Sequence, residues 1–273
     1  MASTSTRKAA RAAESSPLVR GLARGGFAAN GVVHALIGAI IFVIAFGGRA
    51  EGDQTGAFKA IATAPLGFVA LWVMATLLAG LGVWHGLEGV LARGRPDDVK
   101  STAKKWGRRV SQWGQTAVYL ALAVVSASVA LGARPNSTKT ARGASHAALL
   151  LPGGPIVLGL VGCVVTAIGI GFVVRGIRRG FRTQLALPSG PLGTGIVALG
   201  AVGYIAKGVA LATVGVLLVI AAVRVDPGAA GGLDTAITAL IALPFGPWLA
   251  GIVGIGFVAY GLFCLFRARY ARL

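Results

Sequence analysis

The acid–base equipment of this chain is sparse: three histidines and eight acidic residues among 273. Asn30 and His34 stand four residues apart, and His85 and Glu88 three apart, so each pair shares one face of a helix. An imidazole beside a carboxamide and an imidazole beside a carboxylate can pass a proton, or can offer a metal a His-His-Glu set. Both pairs lie within long apolar runs, where an ionisable group is costly and tends to mark function. The plainer reading is structural, and it is the expected one. Glu88 lies near the end of its run, within reach of Arg93, Arg95 or lipid headgroups, and His34 can hydrogen-bond across to the next segment while neutral. Nothing here has the ligand spacing of a zinc motif, so neither metal nor cofactor is expected. His146 stands alone in a connection, and there is no phosphate loop, nucleophile elbow or pair of intramembrane carboxylates.

The segments that must position these residues are six apolar runs, at 27–47, 66–91, 112–131, 156–174, 202–223 and 245–266. Each has the length, about 20 residues, that crosses a bilayer's hydrocarbon core. Only 12% of the residues are charged and 55% are hydrophobic, whereas a soluble domain carries about 25% charged residues. Backbone groups cannot stay unpaired in lipid, and the runs lack strict alternation, so they are helices and not barrel strands. The net charge is +18. Nineteen of the 26 Lys and Arg fall in the N-terminal tail, the second and fourth connections and the C-terminus. Six fall in the first, third and fifth connections, and Lys207 lies inside the fifth run. Such asymmetry places both termini in the cytoplasm of a bacterial inner membrane. The basic excess then attracts anionic lipid headgroups. Nucleic acid is not an expected partner, because no fold motif or aromatic stacking pattern accompanies the charge. Cys163 and Cys264 differ too much in depth to form a disulfide.

The connections repeat. Ala57 and Ala60 lead to Pro65 and Gly67, Ala144 and Ala147 to Pro152 and Gly154, and Ala236 and Ala239 to Pro244 and Gly246. The start of the first run, GFAANGVVHALIG, returns in the fifth as GYIAKGVALATVG, and more weakly in the third. The chain therefore divides into a basic tail (1–26) and three repeats (27–105, 106–190 and 191–273) within one membrane domain. Each repeat holds two spans, so all three share one orientation. The fold expected is all-α: six transmembrane helices as three parallel two-helix repeats, with short interfacial helices at the outer ends. Asp53 and Asp234 stand where those short helices would be N-capped, and Pro65, Pro152 and Pro244 stop them. Gly82 and Gly86, and Gly251, Gly254, Gly256 and Gly261, allow close helix packing, expected within the chain more than between chains. Superposing the repeats aligns Asn30, Gln115 and Lys207. The three converge if that column faces a common axis. The expectation is interfacial, with Lys207 snorkelling to the headgroups.

Several residues together carry a resemblance. Asn30-Gly31-Val32-Val33-His34, Asp53 with Gly56-Ala57, Pro65-Leu66-Gly67, and Trp84 with Glu88 occur in that order. Lys207-Gly208-Val209, Pro244-Phe245-Gly246 and Tyr260 echo them. This pattern resembles the repeat of a bacterial membrane family catalogued as domain of unknown function 1206, over about residues 22–269. The resemblance implies three tandem repeats and no activity, and His34 stands where it would lead one to expect an aromatic.

Function is less legible. The leading expectation is a non-enzymatic membrane protein, a scaffold or accessory subunit that binds lipid or a membrane-protein partner. The alternative is a small transporter or channel with a path between the repeats lined by Asn30, Gln115 and Lys207. A third is an enzyme acting on lipid-linked substrates.

Overall fold

The computed structural model describes residues 12, 15–91 and 99–272, without the side chains of 99–105. Most of the basic tail, and the reach of Glu88 to Arg93 or Arg95, lie outside the described residues. Among the described residues nine α-helices follow in order: α1 (Pro17–Ala45), α2 (Gln54–Ala62), α3 (Gly67–Leu91), α4 (Val99–Ala130), α5 (Ser137–Leu149), α6 (Gly154–Ile177), α7 (Pro191–Arg224), α8 (Gly232–Ile241) and α9 (Gly246–Tyr270). Six of them are long and apolar enough to cross a membrane. Three begin ten or more residues before their apolar runs, α4 among them at Val99. α1 starts at Pro17, so residues 17–26 are helix and not tail, and α7 starts at Pro191. Pro at the first helical position suits the starts of α1 and α7, since its missing N–H would have no helical partner there. The 34 residues of α7 span about 51 Å at 1.5 Å per residue. That exceeds a hydrocarbon core of about 30 Å, so α7 projects beyond it.

The three Pro-x-Gly turns share one geometry. The N–H of Gly67, Gly154 and Gly246 bonds the carbonyl of Ala64, Leu151 and Leu243, at 2.9, 2.8 and 2.8 Å. The residue after each Pro is left-handed, with φ of 60°, 75° and 59° at Leu66, Gly153 and Phe245. Pro second and positive φ third is the signature of a type II turn. The glycine that follows is required for a different reason. A Cβ there would strike the carbonyl oxygen of Ile61, Ala148 or Ile241 in the helix just ended.

At this turn end α2, α5 and α8 interlock. Asp53 caps α2 as expected, accepting from Gly56 N at 2.9 Å. Asp234 does not cap α8, which begins at Gly232; it accepts from Gly52 N of the first repeat at 3.0 Å. Asn136 caps α5 and also donates to Glu51, while Ser137 donates to Asp53. The apolar faces of α2 and α8, through Phe58, Ile61, Ile237 and Leu240, join the central core with Ile37, Ile41, Leu71 and Phe257. These helices are thus a cap on the bundle more than an interfacial layer. Ala57 and Ala236 are buried in that cap, but Ala144 is exposed. The second repeat keeps the motif without its packing.

The spans form a ring in chain order, and its closest pairs join different repeats: α9 with α1, α6 with α7, and α3 with α4. The two spans of one repeat pack less closely, α1 on α3 and α7 on α9, while α4 and α6 make no more than marginal contact. The ring is therefore open at one place. Glycines at seven-residue spacing build two of the close pairs. A Cβ on Gly31 would lie 2.7 Å from Gly261 O, and one on Gly261 would lie 2.6 Å from Gly31 O. Gly38 faces Gly254, Gly162 faces Gly215 and Gly169 faces Gly208 in the same reciprocal way. Gly82 and Gly86 differ, since the side chains of Leu120 and Thr116 fill their space.

Gly261→Ala should destabilise the protein by about 1–3 kcal/mol, because a methyl group meets backbone that cannot yield. Gly171→Ala, with no atom near its new Cβ, should be neutral or stabilising by up to about 1 kcal/mol. Thermal melts of both variants in one detergent test the contrast.

Candidate functional site

At the basic end, opposite the cap, the ring encloses polar side chains. Asn30 and His34 on α1 are 2% and 3% exposed, and His85 on α3 is 3% exposed. Lys207 Nζ lies 3.0 Å from His34 Nε2. Lysine is a donor only, so His34 Nε2 accepts and Nδ1 carries the proton. Nδ1 then donates to Asn30 O at 2.8 Å. Lys207 also sits over the rings of Tyr260 (4.6 Å) and Phe172 (5.7 Å). Its half-buried ammonium points into the ring and does not snorkel to the interface. Asn30 Nδ2 donates to Cys264 Sγ at 3.5 Å, tying α1 to α9 beside the same group.

His85 belongs to a second cluster. Gln112 Nε2 donates to Glu88 Oε2 at 2.6 Å, since a carboxylate only accepts. That leaves Gln112 Oε1 to accept from His85 Nδ1 at 2.7 Å. His85 thereby carries a proton on Nδ1, and its ring is stacked on Tyr119 with centroids 5.4 Å apart. Its Nε2 is buried with no hydrogen-bond partner among the described residues. The two histidines thus fall into separate clusters, and the His-His-Glu set imagined from sequence does not assemble. Gln115 stays apart from Asn30 and Lys207, bonding Ser111 and Gln112 of its own helix. The Asn30–Gln115–Lys207 column therefore contributes two of its three members to one site.

A second column of charged residues runs through the three returning spans. Twenty-one residues after Gly67, Gly154 and Gly246 stand Glu88, Arg175 and Arg267. These lie at one level near the basic rim, about 32 Å from the turn end at 1.5 Å per residue. Glu88 is held by Gln112, with His85 Nδ1 3.5 Å away. Arg175 lies over Tyr204 at 5.3 Å and donates to Gln184 at 2.9 Å. Arg267 lies over Phe27 at 4.2 Å. It is within electrostatic reach of Tyr119, Tyr204, Tyr260 and Cys264, residues of three helices, so it faces the ring's interior. Among the described residues the ion pairs join only Lys59 to Glu51 and His85 to Glu88. Among the described residues neither Lys207 nor Arg267 has a carboxylate at ion-pair distance, though Glu88 is within electrostatic reach of Arg267. The signal for Arg267 lay in its spacing, because Phe257, Tyr260, Cys264 and Arg267 fall on one helical face. Counted only among basic flanking residues, it looked like a topology marker.

Six spans in three repeats, capped at one end and cationic inside the other, define a polytopic α-helical membrane protein built by internal triplication. The chain belongs to the family described as Domain of Unknown Function (DUF1206), which it matches three times in tandem, over residues 25–92, 110–179 and 202–271. It is similar to the uncharacterized protein YxxB of Bacillus subtilis (strain 168), at 23% identity over 264 residues, covering 95% of this chain and 94% of that one. No solved structure matches it.

Gln112→Leu should strand both His85 Nδ1 and the Glu88 carboxylate. Each unpaired buried group costs about 1–3 kcal/mol, so the melting temperature should fall clearly. Gln115→Leu, whose bonds stay within its own helix, should change it little, and side-by-side melts check the difference.

Proposed function

We propose that this protein is a non-enzymatic membrane component that holds the anionic headgroup of a cytoplasmic-leaflet lipid inside its basic end. One observation carries the reading: Lys207 and Arg267 face the interior, backed by aromatic rings and with no carboxylate at ion-pair distance among the described residues, Glu88 being held by Gln112. A desolvated cation without a counter-charge is costly, and an anionic ligand removes that cost. Charge-assisted bonds to phosphate are the strong ones. The acid–base groups nearby are largely engaged: His34 with Lys207 and Asn30, His85 Nδ1 and Glu88 with Gln112, leaving His85 Nε2 without a partner among the described residues. That supports binding over catalysis. The apolar core and the α2–α8 cap fill the ring beyond Lys207, which favours a closed-ended site over a transport path. The asymmetry of Lys and Arg supports a cytoplasmic basic end in a bacterial inner membrane.

Mass spectrometry of the protein purified in mild detergent should find phosphatidylglycerol or another anionic lipid bound. The double variant Lys207→Met, Arg267→Gln should retain at least about tenfold less, the value of one lost charge-assisted bond. Equal retention, or zwitterionic lipid only, would overturn the proposal. Orientation is tested separately, in a Cys163→Ser, Cys264→Ala background. A cysteine at Ser189 should react with an impermeant maleimide only after lysis, and one at Arg142 in intact cells.

A further inference from the structure

The ring leaves one side unguarded. α4 and α6 belong to the same repeat, yet they barely touch, whereas the corresponding spans of the other two repeats pack together. Three other approaches to Lys207 and Arg267 are obstructed. Toward the turn end the core of Ile37, Ile41, Leu71 and Phe257 fills the ring under α2 and α8. The glycine-lined α9–α1 and α6–α7 seams leave no room for a ligand. On the α7–α9 side of the basic end, the chain after α6 folds back underneath. Ala186 N bonds Tyr270 O at 2.8 Å and Arg272 N bonds Gln184 O at 3.0 Å. That fold seats Phe181, 1% exposed, against Tyr204 and Phe263.

The edges of the opening can be read from helix spacing. On α6, Gly162, Gly169 and Gly176 face α7 and Phe172 turns toward Lys207. One further step round the helix come Val157, Val164, Ile168 and Arg175. The three apolar ones are about half exposed, at 51%, 58% and 48%. On α4, Thr116 and Leu120 face α3 and Tyr119 meets His85. The next step brings Gln115 and Leu122. The edges are thus apolar toward the middle of the membrane and polar at the basic rim. The cations behind them are staggered. Across the α7–α9 seam Gly203 meets Tyr260 and Ala206 meets Gly256, so Lys207 starts about 17 Å, some three helical turns, deeper than Arg267.

We infer that the gap between α4 and α6 is a lateral doorway for one phospholipid, whose phosphodiester meets Arg267 at the basic rim and whose glycerol backbone and acyl chains reach inward toward Lys207, between Leu122 and Ile168. This rests on the lipid-binding reading above and names how the ligand enters. A soluble phosphate would use the same cations but needs neither the apolar edges nor the deeper Lys207. A second apolar recess, a groove of about 550 Å³ lined by Leu192, Leu199, Val202 and Phe266, lies on the outside of α7 and α9 and supplies the comparison.

The test is photo-crosslinking of full-length protein in phosphatidylcholine nanodiscs, with phosphatidylglycerol carrying a diazirine in its acyl chain. Adducts should concentrate on Leu122, Val164 and Ile168 over the lipid-facing Ile252 and Ile255. Soluble glycerol phosphate in excess should not displace them. Ile168→Trp, at an exposed position away from the cations, should leave the melting temperature unchanged and reduce the α4–α6 adducts about tenfold. Adducts spread evenly, or gathered at Leu192 and Leu199, would overturn the doorway while the binding proposal stood. Displacement by glycerol phosphate would replace the lipid with a soluble anion. Wild-type protein that retains no anionic lipid would overturn both proposals.

Discussion

The close approach of backbones at the seams between repeats is the constraint on which everything else depends. In lipid no hydrophobic force draws helices together, so association rests on packing and on polar contacts between helices. Gly31 against Gly261, and Gly169 against Gly208, bring carbonyl oxygens up to the facing Cα atoms, the geometry of weak Cα–H···O bonds. Because the strongest seams join different repeats, they fix each repeat to its neighbours before its own two spans are considered. Two repeats can then tighten on themselves and one can stay open without loss of the ring. The polar interior follows from the same seams. The α9–α1 seam sets Asn30 beside Cys264 and His34 beside Tyr260.

Much of the architecture was legible in the sequence because the bilayer imposes simple rules. Six runs of spanning length, the triplicated Pro-x-Gly turns and the cap at Asp53 all reappear in the structure. The pairing of spans did not follow from the repeats, because sequence similarity marks units of duplication and not units of packing. Asp234 illustrates the limit. Its sequence position suits a cap, but Gly231 and Gly232 let α8 begin earlier, which frees the carboxylate to bind the first repeat. Ala144 is another case, since it keeps the motif of Ala57 on a longer helix whose buried residue is Ser145.

The candidate site was half visible. Asn30, His34, His85, Glu88 and Lys207 stand out as polar residues in apolar runs, and the structure uses all five. Gln112 and Arg267 did not stand out, because each lies at the end of a run where a polar residue is unremarkable. What makes them matter is which way they face, and that depends on tertiary contacts. Gln112 is distinguished from Gln115 only by a 300° turn of α4, enough to set one between His85 and Glu88 and to leave the other bonding its own helix.

The second repeat's cap helix has a consequence of its own. α5 has 13 residues where α2 has nine and α8 has ten, and it joins the two spans that do not rest on each other. It is anchored at its start by Asn136 to Glu51 and by Ser137 to Asp53. On the doorway reading it would act as a strut, its length setting the width between α4 and α6. Shortening or lengthening it by a turn, about 5.4 Å, would retune the aperture while leaving the glycine seams intact. Among homologous chains, the length of this one helix would then be a dial for ligand size.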